Sequence, residues 1–119
     1  MAAVKSDADV KGLKPSLSAA LDDSPVVLVV AGQSLLYGWH IKATHATLAA
    51  YAQIFDAAAI ADVTLGTTVP KLSIGSGILG TSEGNPAKPI AFALGICIAC
   101  SSTALGSTAS TADVNIFYA

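Results

Sequence analysis

The chain has 119 residues, 53% of them hydrophobic and only 12% charged, with a net charge of −2 and no arginine. That is one domain, large enough to bury roughly two thirds of the surface its unfolded chain exposes, but with half the usual ~25% of charged residues. The balance excludes a basic surface for nucleic-acid phosphates, and no apolar run is long enough for a membrane-spanning helix.

Seven of the fourteen charges (Lys5, Asp7, Asp9, Lys11, Lys14, Asp22 and Asp23) fall within residues 1–24, leaving seven for the remaining 95. The rest of the surface must therefore be hidden in subunit contacts or covered by Ser, Thr and other small residues. Residues 1–24 are polar, mixed in sign, and contain Lys14-Pro15 and Asp22-Asp23-Ser24-Pro25. They read as an extended polar arm, lying across a neighbouring subunit or hanging as a tail. The segment has no apolar stretch of the kind a secretion signal needs, so the product is expected to be made in the cytoplasm, with Cys97 and Cys100 as reduced thiols.

Pro25 opens an apolar, β-branched run over residues 26–31, a strand that stops at Gly32-Gln33-Ser34. Next, Leu35, Tyr37, Trp39, Ile41 and Ala43 alternate with smaller or polar residues, Leu36 being the exception. The pattern predicts a half-buried strand that presents the only Trp to a core. Residues 46–61 fit a helical stripe (Leu48, Tyr51, Ala52, Phe55, Ala59) as well as a strand, and the neighbouring strands favour a strand over 49–56. Residues 69–74 return as an extended segment, with Pro70 suited to an edge or a strand start. Four glycines, two prolines and Asn85 predict a long loop over 75–89.

Residues 90–100 hold the clearest signal. Ile90, Phe92, Leu94, Ile96 and Ile98 alternate with Ala91, Ala93, Gly95, Cys97 and Ala99, a period of two that predicts one central strand with a large and a small face. The large face enters the core, so Leu94→Asp is expected to abolish folding. The uncharged small face is expected to lie under a second sheet or a closely approaching subunit. A Ser/Thr/Ala/Gly linker over 101–111 leads to a last strand through Val114, Ile116 and Tyr118. The fold expected is all-β, a small β-sandwich or jelly-roll-like domain over residues 25–119 with the arm of 1–24 in front.

No motif carries a reaction. Gly75-Ser-Gly-Ile-Leu-Gly80 matches the dinucleotide fingerprint, but Thr-Ser-Glu-Gly-Asn-Pro follows it and cannot start the required helix. Cys97 and Cys100 with His40 and His45 would make a tetrahedral zinc set only by converging, and two cysteines three apart on a strand point to opposite faces. Buried thiols filling space account for them better. Gly32-Gln33-Ser34 lacks the second glycine of a nucleophile elbow, with Leu36 in its place. Asp56, Asp62, Glu83 and Asp113 are too scattered to form an evident acid/base pair. The chain is accordingly read as a non-enzyme, with no catalytic, cofactor-binding or metal residue assigned.

From residue 34 onward the order of segments is Leu-Leu-Tyr-Gly-Trp-His-Ile, Ala-Gln-Ile-Phe-Asp-Ala, Val-Thr-Leu-Gly-Thr-Thr-Val-Pro-Lys-Leu-Ser-Ile, Pro-Ile-Ala-Phe-Ala-Leu-Gly-Ile-Cys-Ile-Ala and Val-Asn-Ile-Phe-Tyr-Ala. This arrangement resembles small all-β virion proteins of tailed bacteriophages, the group holding capsid cement or decoration proteins and some tail or neck accessory proteins. The resemblance implies a homotrimer on the capsid exterior that binds the major capsid protein and ties capsomers together, with no nucleic-acid or membrane partner. A tail, neck or spike-associated module of the same fold is the alternative it leaves open.

Overall fold

The computed structural model describes residues 14–119. Nine strands follow one another: β1 (Lys14–Leu21), β2 (Val27–Ala31), β3 (Ser34–Ala43), β4 (Ala50–Asp56), β5 (Leu72–Ser76), β6 (Thr81–Gly84), β7 (Ile90–Phe92), β8 (Gly95–Ser101) and β9 (Ala112–Tyr118). A 3-10 turn, Ile60–Asp62, is the one helical element among the described residues. Sheet A runs β1-β9-β3-β6, with β7 also on β3, and sheet B runs β2-β8-β4-β5. Strands β6 and β7 lie end to end along the same edge of β3, opposite residues 39–42 and 34–36 respectively.

The pairing is nested. Strand β4 pairs with β5, β3 with β6 and β7, β2 with β8, and β1 with β9, all antiparallel. Successive pairs alternate between the sheets, the double-sheet wrapping of a jelly roll. The expected all-β sandwich is what forms. Its outermost pair, however, uses β1, so the arm expected over 1–24 is a sheet strand from Lys14 to Leu21; the rest of that expectation, residues 1–13, lies outside the described residues. The loop expected over 75–89 likewise contains the end of β5 and all of β6.

The run at 90–100 is two strands, not one. Ile90–Phe92 pairs with β3 in sheet A, and Gly95–Ser101 lies between β2 and β4 in sheet B. Leu94 sits at the crossing, 57% exposed, so its expected place in the core is overturned. Two groups hold the crossing. Gly95 has φ +152°, and a Cβ there would stand 2.5 Å from the Val30 carbonyl oxygen and 2.7 Å from that of Ala57, so only glycine fits without strain. The Asp56 carboxylate at the end of β4 accepts the N–H groups of Ala93 (3.1 Å), Leu94 (2.8 Å) and Gly95 (3.4 Å).

Strand β3 explains its own exception. Leu36 lies opposite Tyr118 and Gly38 opposite Phe117, which leaves Tyr37 as the extra residue of a β-bulge. A bulge of one residue exchanges the two faces of a strand. Before it Ser34 and Leu36 are buried, and after it Ile41 and Ala43. Trp39 then packs half-buried against the core, over Gly84, where any Cβ would strike the indole ring.

The main core lies between the sheets and joins Leu36, Ile41, Ile54, Phe92, Ile96, Ile98, Val114 and Ile116, with Cys100 and the alanines between them. A second cluster sits on the outer face of sheet B, where Phe55, Cys97 and Ala99 are covered by Ala57, Val63 and Leu65. Beside it the buried Gln53 side chain donates to Ser101 Oγ (2.6 Å) and to the Gly106 carbonyl (2.9 Å), and Ser73 Oγ donates to the Ala104 carbonyl (2.7 Å). The small face of β8 is thus covered by loops of its own chain, in place of the second sheet or neighbouring subunit expected.

Two outcomes follow. Leu94→Asp should fold with a loss of about 1 kcal/mol or less, while Ile98→Asp, which buries an unpaired carboxylate, should not fold; urea denaturation followed by circular dichroism separates them. Desolvation pushes the Asp56 carboxyl up, but its three N–H donors and nearby Lys71 outweigh this and hold it below its ordinary 3.8. A lowered folded-state pKa stabilises above the ordinary value and is lost as pH falls through the folded value. Wild type should therefore lose stability below pH 3.8, and Asp56→Asn should be about 1–2 kcal/mol weaker at pH 7 yet flatter with acid, by denaturant titration at both pH values.

Candidate functional site

The residues weighed as candidate motifs fall in separate parts of the fold. Gly75 belongs to β5, and residues 77–80 form a tight turn into β6, closed by the Gly80 N–H on the Gly77 carbonyl (2.8 Å). A strand–turn–strand offers no helix N-terminus to a pyrophosphate. Ser34 Oγ donates to the Gly32 carbonyl (3.0 Å) and is buried, a turn residue with its hydroxyl already engaged.

Cys97 and Cys100 point to opposite faces of β8, one in the loop-covered cluster and one in the main core. Burial pushes both thiols up, Cys100 to about 11, so both are protonated and unreactive at neutral pH. His40 Nε2 lies 3.4 Å from Glu83 Oε1 across β3 and β6. His45 occupies a turn, where its Nδ1 accepts the N–H groups of Thr47 and Leu48, both at 3.1 Å. Among the described residues no three His, Cys, Asp or Glu side chains gather as a metal site would require.

Of the scattered carboxylates, Asp56 has the structural duty described above, and Asp113 accepts the Ala20 N–H at 2.8 Å. Gln53, which no motif singled out, fastens loop 102–108 to sheet B together with Ser73. Its only sequence signal was a polar residue inside an apolar strand.

Two surface features remain. At the end of the sandwich where β3 begins, a groove of about 610 Å³ is lined by Leu35, Phe92, Ala91, Ala93 and Lys71, among others. Lys71 Nζ stands 5.2 Å from the centroid of the Phe92 ring, a cation over an aromatic face. The second feature is the outer face of sheet A. Directly opposed residues of antiparallel strands share a face, so the registers set Leu35 beside Ala91, Phe117 beside Gly38 and Pro15, and Glu83, His40, Asn115 and Leu17 in one row. Leu17 is 64% exposed. This face is apolar at the groove end and polar at the other, and β1 leaves its outer backbone edge unpaired among the described strands.

Searches of protein-family models, of curated proteins and of solved structures return no match to this chain. Among the described residues no helix is long and apolar enough to cross a membrane. The surface features among the described residues are thus the groove beside Lys71 and Phe92, the outer face of sheet A and the outer edge of β1. The thiols give a direct check on the burial: neither should react with a disulfide reagent at pH 7 in the folded protein, and both should react at once in denaturant, read as thiolate release by absorbance.

Proposed function

We propose that this chain is a structural virion protein of a tailed bacteriophage, a capsid cement or decoration protein that binds as a homotrimer across capsomers on the exterior of the head. The observation that carries the reading is how the fold disposes of its scarce charge. Residues 25–119 hold seven charged side chains. Loops of the chain cover the middle of the outer face of sheet B, over Phe55, Cys97 and Ala99, while among the described residues Leu17 on the outer face of sheet A is 64% exposed and the outer edge of β1 has no partner strand. A small charge-poor domain with one open sheet is suited to permanent contacts with identical copies and with a protein shell.

Two further points support the reading. The jelly roll serves viral capsid domains as well as lectins and cupins, and the resemblance of residues 34–119 to phage virion proteins favours the first of these. Within it, the major capsid protein is the partner, the host cytoplasm the place of synthesis, and bound DNA or lipid has no role.

Copy number decides the matter. Quantitative mass spectrometry of purified virions should find hundreds of copies per particle, in simple ratio to the major capsid protein, and the isolated protein should sediment as a trimer at micromolar concentration. A few dozen copies would assign it to the tail, neck or spike instead. Absence from the particle would end the structural reading.

A further inference from the structure

We propose that β1 is an exchangeable strand, which in the assembled protein lies on β9 of a neighbouring copy in the register it holds here on its own β9. The inference concerns the contact between copies alone and goes beyond the virion reading, since it applies wherever the protein resides. It begins with the position of β1. The β1·β9 pair is the outermost of the nest, and among the described residues β9 is the one strand to which β1 is hydrogen-bonded. Seven of its eight residues are not buried, and neither core cluster contains a residue from 14–20. Lifting residues 14–18 away would leave both clusters whole.

The strand also carries its own hinge. Its ladder with β9 is regular from Lys14 to Ser18, breaks, and resumes at Leu21. Within the break Ala20 has φ +50°, one of two positive-φ residues other than glycine among those described. A left-handed conformation is unfavourable for alanine. On the far side the chain is anchored, because Leu21 is buried in the main core and the Asp22 carbonyl accepts the Cys100 N–H at 2.9 Å. The pivot is therefore Ala19-Ala20.

Exchange costs little at this pivot. All the ladder bonds of residues 14–18 re-form on the neighbour's β9, since that edge is identical in every copy. The left-handed strain at Ala20 is released, and the bond forfeited is that from the Ala20 N–H to Asp113 Oδ1, a carboxylate that water can satisfy. A second copy is the occupant because no other chain presents the same strand to the same edge.

The test uses the full chain with Leu17→Cys and Asn115→Cys together. These residues are directly opposed on the outer face, at the separation a disulfide spans, and the native cysteines are buried. After mild oxidation, a non-reducing gel should show covalent dimers and higher species. A product that is entirely monomer with an internal disulfide would overturn the proposal. Sedimentation of two Ala20 variants gives an independent reading. Glycine accepts φ +50° and favours the closed form, whereas proline, held near φ −65°, forbids it. Ala20→Gly should raise the monomer fraction several-fold and Ala20→Pro should remove the monomer. Equal monomer fractions in both, or an Ala20→Pro chain that fails to fold, would count against exchange.

Discussion

Seven consecutive residues, Gly95–Ser101, are buried without exception, and the rest of the architecture is arranged around keeping both faces of that strand dry. On one side Ile96, Ile98 and Cys100 meet sheet A across the main core. On the other, Cys97 and Ala99 are small enough for Val63 and Leu65 to come down onto the sheet. A strand with water on neither face needs cover from two directions, and a two-sheet domain supplies it from one. The second cover is the pair of long connections, residues 57–71 and 102–111, which meet where Gly66 approaches Ser107.

That second cover has a polar requirement of its own. Loop backbone laid over a sheet must find hydrogen-bond partners, and the side-chain amide of Gln53 supplies one from within an otherwise apolar strand. At the other end of the same strand, Asp56 does the equivalent for the chain as it passes from sheet A into sheet B. Both residues are polar, both belong to β4, and both serve backbone that has no ladder to join. The sandwich is held by its apolar core, and these two side chains, with Ser73 and Ser110, tie its loops to it.

The internal cover also changes what the composition means. Scarcity of charge invites the inference that much of the surface is hidden by other subunits. Part of that burden is met within the chain, because the middle of one outer sheet face is covered by its own loops. What is left open among the described residues includes the outer face of sheet A, graded from apolar near Leu35 and Phe117 to polar near Lys42 and Asp113, and the outer edges of β1 and β2.

Local pattern by itself indicated the all-β class, strands over residues 26–31, 35–43, 49–56 and 114–118 that fall within two residues of those observed, and the burial of both cysteines. Most of these rest on a period of two or on β-branched composition, which neighbouring residues are enough to establish; the strand after residue 48 fitted a helical stripe as well and followed from the strands on either side. What lay beyond it depends on residues distant in the chain. The alternation at 90–100 continues unbroken through Leu94, yet the strand changes sheets there because Asp56 and Gly95 permit the crossing and the partners on either side differ. The Leu36 anomaly is a bulge that only pairing with β9 defines. Polar β1 reads as an arm because its own residues bury almost nothing; it is a strand because β9 offers it an edge. Whether the small face of β8 would meet a sheet, a subunit or a loop was a question of what lies above it, and only the tertiary structure could place loops there.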